Sequence, residues 1–107
     1  MTQEEFFKFI EDGYKKAHSI IVKKNSDYAT GEDPFKNFKM ASLIGITPER
    51  AILVRISDKL ARIRNLMNPG KKAQVSDEAI EDTVLDMINY LAILRAFLQD
   101  EKDGIPF

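Results

Sequence analysis

Apolar residues recur at steps of three and four along nearly the whole chain, and nowhere do they alternate with polar ones long enough to suggest a strand. Phe6, Phe9, Ile10, Gly13, Tyr14, Ala17, Ile20 and Ile21 form one such stripe and predict a helix from about Gln3 to Lys24. The basic, polar run Lys23-Lys24-Asn25-Ser26 suits its end, because cations favour the negative pole of a helix. Asp27 to Pro34 reads as a loop, since Gly31, Asp33 and Pro34 disfavour regular structure. A short helix is expected over about Phe35 to Leu43, stopping at Gly45. Thr47, Pro48 and Glu49 are a helix start: a residue able to cap, a proline at the first position and an acid at the positive end. That second long helix should reach Leu66 or Met67 before Asn68-Pro69-Gly70. After a polar hinge, Lys71 to Val75, Ser76 is expected to cap a third long helix lasting to about Asp100. Its apolar set Ile80, Val84, Met87, Leu91, Leu94 and Leu98 alternates steps of four and three, the spacing of a bundle seam. The expected fold is all-α, a single domain over 1–107 with three long helices and one short one.

Polar residues break this pattern in two places. In the third long helix Glu78, Asp82, Asp86 and Asn89 fall within about 80° of one another at the ideal helical step, and their strip continues into Ile93, Ala96 and Phe97. An acidic strip in line with core positions requires a positive partner, because an unpaired carboxylate held away from water costs several kcal/mol. The second long helix offers one. Arg55, Asp58, Arg62 and Asn65 lie at i, i+3, i+7 and i+10, with Lys59 one turn from Arg55. Facing strips of this kind can hold an anionic substrate on arginine and lysine and a divalent cation on carboxylate oxygen. Magnesium suits such a site, since it favours carboxylates, waters and phosphates over nitrogen and sulfur.

Plainer readings stand beside these. Asp77 and Glu78 sit in a first turn where acids are common, and Arg55 with Asp58 can be an ordinary local ion pair. Asp86 answers to neither explanation, lying two turns in between Leu85 and Met87. In the segment 23–38, Lys23, Lys24, Lys36 and Lys39 surround Tyr28, Phe35 and Phe38, a combination suited to a phosphate and a stacked base, although aromatics beside helix ends also fill cores. His18 has no partner motif, and neither a phosphate-binding glycine loop nor a nucleophile motif occurs.

Composition narrows the field. At 107 residues with formal charge −1 and 31% charged residues, the chain has no bulk attraction for duplex nucleic acid or an anionic membrane. It has no cysteine and one histidine, which removes disulfides, thiolate chemistry and a multi-histidine zinc site. The acidic N-terminal stretch and the lack of an apolar run near ~18 residues lead us to expect a soluble, cytoplasmic protein with no membrane partner. A chain this small gains from association, so a homo-oligomer is expected.

The series KKNSDY (23–28), DPFKNF (33–38), RISDKLARIRNL (55–66) and DEAIEDTVLDMINYL (77–91) resembles the nucleotide modification associated domain type 1 family of phages and bacteria. That family is placed near the MazG-like all-α nucleotide pyrophosphatases. The resemblance spans roughly Lys23 to Leu94 and implies a MazG-like helical bundle, completed by oligomerisation as a dimer or tetramer. It implies Mg2+ bound by carboxylates of two helices and hydrolysis of a nucleoside triphosphate to monophosphate and pyrophosphate. Carried onto this chain, Asp86 matches the aspartate of the third-helix motif, with Asp82 and Glu78 one and two turns earlier and Asp58 in the second-helix position.

On that reading Glu78, Asp82, Asp86 and Asp58 hold metal, and Asp58 and Asp86 are the catalytic pair. Lys24, Arg55, Lys59 and Arg62 hold phosphates, and Asp27, Tyr28, Asn37 and Asn89 shape the base and sugar pocket. One departure is plain: MazG-type enzymes carry EExxE on the second helix, where this chain has Arg55-Ile56-Ser57-Asp58-Lys59. Two alternatives follow. The chain binds or sequesters a nucleotide without hydrolysing it, or it is a structural helical module whose charged strips only set register.

Overall fold

The computed structural model describes residues 1–28, 33–68 and 73–102, with backbone alone at 26–28 and 73–77. All the regular structure among the described residues is helical, in the order α1 (Gln3–Tyr28), α2 (Lys36–Lys39) continued by a 3-10 turn (Met40–Ile44), α3 (Pro48–Leu66) and α4 (Ala73–Lys102). The all-α expectation holds, with three long helices and one short.

Helix ends follow local chemistry closely at some points and depart from expectation at others. Thr2 and Glu5 form a reciprocal capping box: the Glu5 amide donates to Thr2 Oγ1 at 3.1 Å, and the Thr2 amide to Glu5 Oε1 at 3.4 Å. α1 then runs through Lys23-Lys24-Asn25-Ser26 to Tyr28, so that basic run is helix interior and not its end. None of those four residues breaks a helix as glycine or proline does. α4 likewise begins at Ala73, three residues before Ser76, because the end of the expected hinge, Ala73-Gln74-Val75, contains no glycine or proline to break a helix. The short helix divides: α2 gives way to the 3-10 turn, which Gly45 closes at φ 78°, a left-handed conformation natural to glycine. Thr47 precedes α3 in an extended conformation but makes no side-chain cap bond, leaving Pro48 at the first position as the main start signal.

α3 and α4 pack along one another as a hairpin, and its far end holds the densest core, Phe35, Ile52 and Phe97, with Phe38, Ile56, Ile93 and Leu94 against it. Phe35 meets Phe97 edge-on at 5.4 Å, and Phe38 meets Tyr90 at 6.4 Å. Both loop aromatics therefore fill the core. The approach to α2 is held by Asp33, whose carboxylate accepts the Phe35 amide at 2.9 Å and pairs with Lys39.

α1 meets the hairpin differently. Adjacent Lys16 and Ala17 reach α4 positions eight residues apart, Glu81 at 2.8 Å and Asn89 at 2.9 Å, as happens where helices cross rather than run side by side. Ala17 is buried at the crossing, where its small side chain permits close approach. Toward the N-terminus, Phe6, Phe9, Ile10 and Tyr14 of the same stripe remain exposed.

Candidate functional site

Between α3 and α4, below the aromatic core, lies an open cavity of about 300 Å³ lined by Lys59, Arg62, Glu78, Ala79, Asp82, Thr83 and Asp86. The helical step explains the lining from α4: positions 78, 82 and 86 recur every turn, with 79 and 83 beside them. On α3, Lys59 and Arg62 are three apart and project from the same side.

Asp86 is the centre of the arrangement. Its Oδ2 lies 3.2 Å from Lys59 Nζ of α3 and its Oδ1 lies 3.4 Å from Lys24 Nζ of α1, so one carboxylate joins three helices. The Asp86 side chain is 24% exposed, and a pair held this far from water is screened less than one on the open surface. This answers the demand for cations opposite a core-facing acid. Asp82 and Glu78, one and two turns away, form no ion pair among the described residues. They are exposed carboxylates facing the same opening.

Asn89 is turned elsewhere. Its Nδ2 donates to the Ala17 carbonyl inside the α1–α4 crossing, and the residue is buried. Arg55 and Asp58 are exposed on α3 and lie outside the cavity lining. Asn65 instead lines a hollow of about 520 Å³ at the end of α3, with Ala61, Arg64, Met67 and Asn68. That hollow is built from one helix end and contains no acid. Asn37 is exposed on α2 and is not part of the cavity. The side chains of Asp27 and Tyr28 lie outside the described residues.

Thr83 in the cavity and Glu81 beside it on α4 had no role in the sequence reading. Thr83 lines the cavity while its Oγ1 donates to the Ala79 carbonyl at 2.6 Å, a back-bond that satisfies a buried hydroxyl. Glu81 pairs with Lys16, whose ammonium is held above the usual lysine range first by that hydrogen bond and then by the Glu81 charge. The signal for Thr83 was its place one residue past Asp82, on the edge of the acidic strip.

A metal here would have few protein ligands. Among the described residues no three Asp, Glu or His side chains gather as a binding group. Helix geometry gives the reason: Glu78, Asp82 and Asp86 rise by about 6 Å per step and span about 12 Å in all, too far to converge on one ion. Adjacent pairs remain suitable. Magnesium keeps several waters and is commonly bound by one or two carboxylates plus substrate phosphates, which fits Glu78 with Asp82, or Asp82 with Asp86.

The family model for nucleotide modification associated domain 1 matches residues 24–96, about two thirds of the chain. The chain belongs to this family. The matched span begins at Lys24 and takes in every residue of the charged cavity, while most of α1 lies before it. No curated protein and no solved structure shows significant similarity to the chain. Among the described residues no helix is long and apolar enough to cross a membrane.

Proposed function

We propose that the cavity between α3 and α4 is a nucleotide-phosphate site. On this reading the chain is a magnesium-dependent pyrophosphohydrolase that converts a nucleoside triphosphate to its monophosphate and pyrophosphate in modified-nucleotide metabolism. The observation that carries the proposal is the grouping of Lys59 and Arg62 with Glu78, Asp82 and Asp86 around one opening, with Lys24 reaching Asp86 from a third helix. Membership of a family associated with nucleotide modification supports a nucleotide as the substrate class.

The roles follow from charge and position. Arg62 offers a planar fork to phosphate oxygens, and Lys59 a point charge beside it. Asp86 fixes the Lys59 ammonium at the cavity edge and keeps it from swinging into solvent. Glu78 and Asp82 present hard oxygen ligands on adjacent turns. Glu78 and Asp82 would hold magnesium, which would neutralise phosphate charge and help activate a water. Water attack at the α-phosphorus with departure of pyrophosphate balances the reaction. The α3 positions Asp58 and Arg55 flank this arrangement and serve it only if substrate extends beyond the cavity.

A second reading is favoured by one feature: both oxygens of Asp86 already face lysines, and no three acids gather among the described residues. Such a site suits binding of a nucleotide without hydrolysis. Pyrophosphate release across a panel of nucleoside triphosphates, with and without magnesium, separates the two. Magnesium-dependent release that falls at least tenfold in Asp86→Asn supports the enzyme. If no nucleotide is cleaved but calorimetry shows magnesium-dependent binding that Arg62→Ala weakens, the binding reading replaces it. Neither turnover nor binding would sink both.

A further inference from the structure

The two lysines on Asp86 are not held alike. Lys59 Nζ lies 3.2 Å from Oδ2 at the cavity edge, and its side chain is only 28% exposed. Lys24 Nζ lies 3.4 Å from Oδ1, comes from α1 outside the hairpin, and belongs to a side chain 60% exposed. An exposed lysine gains little from such a pair, because water screens its charge and a long side chain loses freedom by keeping one geometry. Lys59 gives up less, since its hydrocarbon stem is already largely covered. Lys24 is therefore the contact that a competitor removes first.

Its removal does not undock α1, which has ties of its own to α4. Asn89 Nδ2 donates to the Ala17 carbonyl at 2.9 Å inside the crossing, and Lys16 pairs with Glu81 at 2.8 Å. Ala17 stands two turns before Lys24 on the same helix, so the lysine side chain can swing while the helix keeps its place.

What Asp86 Oδ1 faces decides which carboxylates are open. Glu78, Asp82 and Asp86 follow one another at about 6 Å of rise, which makes two adjacent pairs. Glu78 and Asp82 form no ion pair among the described residues, whereas the pair Asp82 and Asp86 has one member committed to lysines. An ammonium and a hydrated magnesium ion seek the same carboxylate oxygen and repel one another across it, so one excludes the other from Oδ1.

We propose that Lys24 is an exchangeable counter-ion that withholds Asp86 from magnesium, so that the cavity offers one carboxylate pair while Lys24 is docked and a second when it has left. The inference rests on the reading of the cavity as a magnesium site, not on hydrolysis or on the identity of the nucleotide. Lys24 is a positioning residue in this scheme, acting on the metal through Asp86. Its release has a direction, because an ammonium detached from Asp86 at the cavity has an entering phosphate as its next partner. Phosphate that takes Lys24 opens Asp86 to the metal, and by linkage each ligand favours the other.

Titration calorimetry with magnesium chloride alone tests this, with no nucleotide present. Lys24→Met should bind magnesium about two- to fivefold more tightly than the unsubstituted chain, the worth of one partly exposed ion pair. Loss of any nearby positive charge has the same sign, so the decision lies in the Asp86→Asn background. There Lys24→Met should leave magnesium affinity unchanged, because no carboxylate remains for Lys24 to withhold. Equal tightening with and without Asp86 overturns the proposal. Magnesium binding that Lys24→Met does not tighten overturns it too and leaves the magnesium site standing, whereas no binding by any variant sinks both. If Asp86→Asn loses its far-ultraviolet helix signal, side-chain motion decides. In the unsubstituted chain with isotope-labelled lysine, magnesium should lower the order parameter at Lys24 Cε and leave that of Lys59 in place. An unchanged Lys24, or an equal loss at both lysines, overturns the proposal.

Discussion

Lys59 and Leu60 are neighbours in sequence, yet the lysine side chain is 28% exposed and the leucine is 59% exposed. The usual order of burial is reversed. Lys59 can lie in because its stem is hydrocarbon and its ammonium finds Asp86, so the charged flank is satisfied within one chain. Leu60 asks for nothing but apolar contact, and no described part of the chain provides it. One flank of the hairpin is satisfied within the chain, and no described residue covers the other.

Both flanks rest on the same core, so the largest expected effect abolishes the comparison altogether. Phe97 is 2% exposed and meets Phe35 edge-on at the top of the hairpin. Phe97→Ala should cost about 3–5 kcal/mol, read from urea unfolding, because it removes an aromatic and leaves a cavity that neighbouring helices cannot fully close. Phosphate binding and the self-association expected of so small a chain should weaken together. If only one of them changed, the two flanks would not share a foundation.

Next in size is the α1 crossing, which belongs to the charged flank alone. Asn89→Leu removes the donor to the Ala17 carbonyl and forces a larger apolar side chain into the close approach. A loss of about 1–3 kcal/mol is expected from that hydrogen bond and its packing. Because α1 carries Lys24 to Asp86, nucleotide affinity should fall as well, while the solution mass stays that of the unsubstituted chain. A lower mass would show that α1 also takes part in association.

The sharpest contrast uses the adjacent pair. Lys59→Ala should weaken phosphate binding about tenfold, equivalent to about 1.4 kcal/mol, with no change in solution mass. Leu60→Glu should do the reverse, lowering the mass and sparing phosphate binding measured by calorimetry. Loss of both properties in either variant would collapse the distinction between flanks.

Why the two flanks were unequally legible follows from what helical spacing contains. Spacing yields the azimuth of each residue, and that was enough for Lys59, Arg62, Glu78, Asp82 and Asp86, which share one cavity. It does not say which neighbour stands opposite. Asn89 shares the acidic strip but meets α1, and Arg55 with Asp58 share the cationic strip but stay exposed, because each strip is wider than the cavity edge it crosses. Lys24 reads from the sequence as one of several lysines beside the loop aromatics, suited to a phosphate, but its pairing with Asp86 has no signature in spacing, since it depends on how α1 meets the hairpin. Helix existence was plain from periodicity. The ends of α1 and α4 were not, because polar residues without glycine or proline permit helix as readily as loop. The exposure of Leu53, Leu60 and Met67 had no sequence signature at all, for an apolar seam reads the same whether or not the chain covers it.

The smallest expected effect lies outside both flanks and tests whether their shared end is independent of them. Asp33 holds the entry to α2 through the Phe35 amide and Lys39. The Lys39 hydrogen bond, followed by the Phe35 amide, keeps the Asp33 carboxyl below the ordinary carboxylate value, while Asp33 holds Lys39 above the ordinary lysine value. A depressed acid stabilises the fold above its unfolded pKa and loses that contribution as pH falls through its folded value. A raised lysine contributes fully below its unfolded pKa and loses its share as pH rises through the folded value. The tie is therefore whole across neutral pH and weakens only at the two extremes. Since both groups are solvent-exposed, the change should be local: the Phe35 amide and Phe38 ring resonances should shift on acidification below the ordinary carboxylate range. Asp33→Asn should abolish that acid step while nucleotide affinity and solution mass at pH 7 remain unchanged. An acid transition that persisted in the variant would assign it to another carboxylate.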